Sequence, residues 1–175
     1  MMKKDKRISI EASGDVWEKM GPLEALSVAI YNEQAACDFY SGLEHVIENE
    51  AGKRKFASLV DDERQHRRLL EERYAGESGG KDFVFHSDKA KKVHVDVESQ
   101  ASAVDAVDLA IEAERTAHDF YRRAAQKTSD EEGKRMFERL AEDEERHHET
   151  LLAEREALLG GFYWFSADEQ RIMEN

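Results

Sequence analysis

Shifting the chain by 81 residues lays residues 25–70 on residues 106–151 without a gap, and 18 of the 46 aligned positions are identical. The pairs include Ala29/Ala110, Ile30/Ile111, Glu33/Glu114, Ala36/Ala117 and the run Asp38-Phe39-Tyr40 on Asp119-Phe120-Tyr121. They continue with Gly52/Gly133, Phe56/Phe137, Leu59/Leu140, Asp62/Asp143, Glu63/Glu144, His66/His147 and Leu70/Leu151. Even a biased composition yields only a handful of such matches by chance. The chain is therefore built from two copies of one unit.

Each copy reads as helix, short turn, helix. The chain has a single proline, Pro22, which permits long uninterrupted helices, because an interior proline removes a hydrogen bond and clashes with the preceding turn. Gly21-Pro22 opens the first helix, with the proline where no amide donor is needed. Leu23, Leu26, Ile30, Cys37 and Tyr40 then recur at helical spacing. This helix is expected to fade near residues 48–50, with Gly52 marking the turn. A second helix is expected over about 53–74, a third over 103–127 and a fourth over 130–159. Thr128, Ser129 and Asp130 offer capping side chains ahead of the last.

Glycines at 76, 79 and 80 end the first hairpin. Beyond them, FVF and VHVDV are β-prone but have no obvious strand to pair with, so this stretch reads as an extended crossover. A short loop would force the third helix antiparallel to the second, whereas a long connection lets it run alongside. The expected organisation is an N-terminal segment over 1–20 and an all-α four-helix bundle over 21–160. The bundle consists of hairpins 22–75 and 103–159 joined by the crossover 76–102. The tail FYWFSADEQRIMEN, over 161–175 with the preceding glycine, is aromatic and then helix-like. It is expected to form a short C-terminal helix that packs as a cap, a lid or a subunit contact, in a homodimer or higher homo-oligomer.

The formal net charge of −13 argues against nucleic acid and against anionic membrane surfaces as partners, since both are polyanions. No apolar run approaches the length of a membrane-spanning helix. The start, MMKKDKRISI, is charged and lacks the apolar stretch of a secretory signal. Cys37 is the only cysteine, which excludes an intramolecular disulfide and any cysteine-ligated metal cluster within the chain. A cytoplasmic location is expected.

The chemistry lies in Glu63 and His66. Three residues along a helix is about 300°, so the two side chains share a face and can reach one metal ion. Glu144 and His147 repeat the arrangement, and Glu33 and Glu114 add one carboxylate from the first helix of each hairpin. Four Glu and two His from four helices form the ligand set of a carboxylate-bridged dinuclear site in a bundle core. A single Glu-x-x-His carries little weight, and Glu145–His148 offers a competing register. That register breaks the 81-residue alignment and sits about 100° away from the face of Leu140, Glu144, His147 and Leu151. Four converging carboxylates would repel one another and pay heavy desolvation unless cations neutralised them. Mixed carboxylate and imidazole ligands suit iron or manganese better than a structural zinc; two iron ions are the expected occupants, with manganese or zinc as substitutes.

Further residues repeat beside these six. Tyr40 and Tyr121 lie two turns beyond Glu33 and Glu114, where a phenol can hydrogen-bond a ligand carboxylate. Asp62 and Asp143 precede the Glu-x-x-His pairs, where a carboxylate can accept a proton from an imidazole on the partner helix and fix its tautomer. Cys37 and His118 occupy equivalent positions four residues after Glu33 and Glu114.

The segments AIYNEQAACDFY, FASLVDDERQH, AIEAERTAHDFY and FERLAEDEERH resemble the rubrerythrin branch of the ferritin-like superfamily. The resemblance spans about residues 22–157. The Asp-Glu-x-x-His form, with Arg146 inside the second copy, is also similar to bacterial multicomponent monooxygenase hydroxylases, for which the chain is far too short. The rubrerythrin resemblance implies a ferritin-like di-iron bundle in which Glu33 and Glu114 are terminal ligands, Glu63 and Glu144 bridges, and His66 and His147 the nitrogen ligands. It implies an oxidoreductase that reduces peroxide or dioxygen. Rubrerythrins proper carry a four-cysteine rubredoxin module, which one cysteine cannot form, so electrons are expected from an external donor such as a rubredoxin-like protein. They also carry an additional ligand Glu at the position occupied here by Ala117. The alternative functions are ferroxidase or iron-handling action, and a metal-stabilised bundle without a catalytic role.

Overall fold

The computed structural model describes residues 20–86, 95, 97 and 99–160, the side chains of residues 100 and 101 excepted. The N-terminal segment, much of the crossover and the expected C-terminal helix lie outside the described residues. Those that are described form four α-helices and no strand: α1 (Pro22–Val46), α2 (Glu50–Glu77), α3 (Gln100–Lys127) and α4 (Glu131–Leu159).

Local chemistry sets the helix starts. Pro22 begins α1. The Asn49 side chain accepts from the amides of Ala51 and Gly52 and so starts α2 at Glu50. Gly52 is thus a buried residue of the first turn of α2, not part of the link between helices, because the asparagine cap outweighs the glycine's weak helix preference. Ser99 and Ser102 cap each other at the start of α3, which moves that helix ahead of residue 103. Asp130 accepts from the Gly133 amide at 2.8 Å and starts α4. Past α2, Gly79 and Gly80 adopt φ of 74° and 88°, and the Gly80 amide donates to the Ala75 carbonyl. This closes the helix end in the left-handed conformation that glycine accepts without strain.

Side-chain pairs fix the helix directions. Between α2 and α4, Lys55 meets Glu154, Asp62 meets His147, His66 meets Asp143 and Arg73 meets Asp130. One number rises as the other falls, so the helices are antiparallel. Tyr40 with Glu114 and Tyr121 with Glu33 make α1 and α3 antiparallel in the same way. Since the short link makes α1 and α2 an antiparallel hairpin, α2 and α3 run in the same direction. The connection between them must therefore travel the length of the bundle, as in ferritin-like folds with one crossover.

The start of that connection docks on the first hairpin. Tyr31 packs against Phe83 and Phe85, Tyr74 packs edge-on to Phe83, and the Tyr31 hydroxyl accepts from the His86 amide at 3.0 Å. The β-prone FVF segment is thus held by aromatic rings, with the Tyr31 hydroxyl also meeting the His86 amide and carbonyl just beyond it, and has no partner strand among the described residues. Farther along, Val95 lies over Gly42 of α1.

The core divides into two apolar layers. One contains Tyr40, Leu43, Phe56, Val60, Val107 and Leu151. The other contains Ile30, Leu70, Tyr121, Phe137 and Leu140. Between them lies a band of buried polar side chains.

Candidate metal centre

That band consists of Glu33, Glu63, His66, Glu114, Glu144 and His147, each no more than 3% exposed. The structure brings all six sequence-predicted residues together, from all four helices. They fall into two overlapping groups: Glu33, Glu63, His66 and Glu144 in one, and Glu63, Glu114, Glu144 and His147 in the other. Glu63 and Glu144 belong to both.

The individual oxygens explain the overlap. His66 Nδ1 lies 3.2 Å from Glu63 Oε2, 3.1 Å from Glu144 Oε1 and 3.6 Å from Glu33 Oε2. His147 Nδ1 lies 3.1 Å from Glu63 Oε1, 3.4 Å from Glu144 Oε2 and 3.7 Å from Glu114 Oε2. Each shared carboxylate therefore turns one oxygen to either half. The imidazole rings stack with centroids 5.5 Å apart.

Both rings are oriented from behind. His66 Nε2 is 3.3 Å from Asp143 Oδ2, and His147 Nε2 is 3.3 Å from Asp62 Oδ2. These contacts put a proton on each Nε2, so each Nδ1, facing inward, is the nitrogen that a metal ion can take in place of a proton. Both tyrosines also cross between hairpins. Tyr40 donates to Glu114 Oε1 and Tyr121 to Glu33 Oε1. Burial raises both phenols well above their ordinary value, so they remain protonated donors.

Whether these residues fit a metal is tested by what they leave unpaired. Glu63 Oε1, Glu144 Oε1, His66 Nδ1 and His147 Nδ1 are buried and have no hydrogen-bond partner. Buried polar atoms are nearly always satisfied, and each orphan costs about 1–3 kcal/mol. Here the four orphans are the inward-facing oxygens and nitrogens of one cluster, where a cation would satisfy them together. The donor set fits a metal pair.

Without a cation the cluster takes up protons. Burial and the charge of Glu63 push Glu33 up to about 8. Burial, with the charges of Glu63 and Glu114, holds Glu144 well above the usual range. Burial also acts upward on Glu63 and Glu114, yet contacts with neighbouring imidazole and carboxyl groups hold both below it. Burial alone would lower the imidazole values, but the carboxylates crowding each ring outweigh it and hold both histidines well above theirs.

The rubrerythrin family model matches residues 24–155. The chain belongs to the rubrerythrin family. Family membership supports a di-iron carboxylate protein. A solved structure of a hypothetical protein from Pyrococcus furiosus has 33% sequence identity and a TM-score of 0.74, the match covering 84% of this chain and 98% of that one. No curated protein matches the chain.

A cavity of about 50 Å³ between α1 and α3 touches Glu33, Glu63, Glu114 and Glu144. Four alanines, Ala29, Ala36, Ala113 and Ala117, open it. Ala117, where the sequence resemblance implies a further Glu, is thus a wall of the cavity. The alanine pairs Ala29/Ala110 and Ala36/Ala117 were visible in the repeat, but small residues on a helix carry no functional signal until the cavity is seen. Cys37 and His118 stay outside the cluster. The Cys37 thiol donates to the Val60 carbonyl at 3.8 Å, and burial pushes its pKa up to about 12. His118 pairs with Asp119 at 3.3 Å. Glu145, of the rejected register, is exposed. No described helix is long and apolar enough to cross a membrane.

Proposed function

We propose that the chain is a di-iron oxidoreductase of rubrerythrin type that reduces peroxide or dioxygen with electrons from an external donor. The observation that carries this reading is the pair of overlapping donor groups that share Glu63 and Glu144 and leave four buried atoms unpartnered. Glu33 and His66 would hold one iron, Glu114 and His147 the other, and Glu63 and Glu144 both. When bound, two iron ions supply two electrons to a small oxidant without releasing a radical.

The side chains around them divide the remaining work. Asp62 and Asp143 hold the imidazoles with Nδ1 facing inward. Tyr40 and Tyr121 keep Glu114 and Glu33 turned toward the centre by binding their outer oxygens. The same phenols stand ready to donate hydrogen bonds as charge changes on the carboxylates. The two apolar layers exclude water from both ends. The cavity of about 50 Å³ is well below the roughly 300–1,000 Å³ of sites for drug-sized ligands. It suits a molecule the size of dioxygen or hydrogen peroxide.

The test is anaerobic loading with ferrous iron followed by peroxide. Two irons per chain are expected, with oxidation much faster than that of free iron and repeated turnover once a reduced donor is supplied. Oxidation no faster than free iron would sink the reading.

A further inference from the structure

The six clustered residues and the aspartates behind them match pair by pair between the two halves, but their neighbours do not. Asp62/Asp143, Glu63/Glu144 and His66/His147 are identical pairs, but Gln65 stands opposite Arg146. Arg146 Nη1 lies 2.5 Å from Asp143 Oδ1. The other oxygen of Asp143 faces His66 Nε2. In the first hairpin, Arg64 is one position out of register and pairs with Asp61 at 3.2 Å. Among the described residues, no arginine or lysine pairs with Asp62, which faces His147.

This difference reaches the inward-facing nitrogens. An imidazole that gives its outer proton to a carboxylate becomes a more electron-rich ligand at its other nitrogen, and the effect grows with the charge left on the carboxylate. A guanidinium bonded to Asp143 draws on that charge. Asp62 keeps its own; water reaches it more than Asp143, at 45% against 30% exposure, but water is neutral. Arg146 sits on the helix of His147 yet acts on His66, because each aspartate serves the ring of the other hairpin.

We propose that Arg146 makes the two halves unequal, so that the His147 half takes up the first metal ion and the His66 half the second. This rests on the two-metal reading above. Arg146 is a positioning residue: it acts through Asp143 and touches neither metal ligands nor substrate. The expected preference is about tenfold, the lower end of the range for altered outer partners of a metal site.

The test is titration of the whole chain with Co(II), followed by proton NMR. Each ligating imidazole then contributes one strongly shifted Nε2–H resonance, assigned with Asp62→Asn and Asp143→Asn. In the unaltered chain the His147 resonance is expected to rise first. Arg146→Gln should bring the two together. The exchange Gln65→Arg with Arg146→Gln should reverse the order, with an about tenfold preference for the His66 half. Both positions are exposed, so the bundle tolerates the changes, and a lost structural contact cannot produce a reversal. Simultaneous filling in the unaltered chain, or an unchanged order in the exchanged one, overturns the proposal alone. No uptake of Co(II) overturns the two-metal reading and the proposal with it.

Discussion

Tyr121 contributes a single hydrogen bond to the centre, and that bond ties one hairpin to the other. Its hydroxyl reaches Glu33, as that of Tyr40 reaches Glu114. Replacing Tyr121 with Phe keeps the ring against Phe137 and leaves a carboxyl oxygen of Glu33 buried without its donor. Leaving a buried acceptor unsatisfied costs about 1–3 kcal/mol, so chemical denaturation should register a loss of that size. Looser positioning of Glu33 should also weaken metal binding by about 10–100-fold, measured by competition with a chelator. A variant that lost stability but bound metal as before would separate the tyrosine from the centre. At this scale the sequence was most informative, because a repeat reveals which residues are needed twice. It could not reveal that the partners cross. Spacing put Tyr40 on the face of Glu33, whereas the antiparallel packing of α1 on α3 hands it to Glu114. Arg146 stands three residues after Asp143, a spacing that allows the pair, but that Asp143 serves His66 of the other hairpin is visible only in the fold.

The described part of the crossover docks on the first hairpin. It approaches α1 so closely that a Cβ on Gly42 would stand 2.6 Å from Val95 Cγ2. Alanine normally stabilises a helix by about 0.5–1 kcal/mol relative to glycine. At Gly42 the clash should reverse the sign, with overpacking costing about 1–3 kcal/mol. Gly76, near the end of α2, has nothing within 4 Å of such a Cβ, so Gly76→Ala should show the ordinary gain. Denaturation of the two variants side by side checks the claim, and a gain at both positions would show that the crossover does not press on α1. Little of this contact is legible in the sequence. The length of the connection predicts its direction and its extended course, but not where it docks, because β-prone alternation in FVF and VHVDV does not say which surface the apolar side chains meet. The helix starts slipped for a related reason. Gly52 resembles a turn residue until the Asn49 cap is counted, and Ser99 with Ser102 makes a capping box without the usual acidic partner.

Across the whole bundle, the centre places a cost on the metal-free fold whose size depends on pH. Glu33 takes a proton up to about pH 8 in the fold, whereas an unfolded chain gives it up near 4.5. Its contribution is therefore fully present below about 4.5 and is lost as pH rises toward 8. Glu144, also raised, acts in the same direction. So do His66 and His147, which an unfolded chain deprotonates near 6.5 while the fold holds them protonated. Glu63 and Glu114 are held low and act oppositely: their contribution is present above 4.5 and is lost as pH falls through their folded values. Above pH 5, then, the raised carboxyls Glu33 and Glu144, joined above about 6.5 by His66 and His147, lower metal-free stability as pH rises, while Glu63 and Glu114 have little left to add, and the net charge of −13 adds self-repulsion in the same sense. Calorimetry of metal-free protein should show the melting temperature falling from pH 5 to pH 8, by about 2–4 °C for each kcal/mol lost. Bound metal displaces the protons and reverses the trend, because the ligands must be deprotonated to bind it. The melting increase on adding Co(II) should therefore grow over the same interval, with protons released into a weak buffer near neutrality. A metal-free melting temperature that climbs between pH 5 and pH 8, or metal uptake without proton release, would mean that the six side chains do not act as one charged unit.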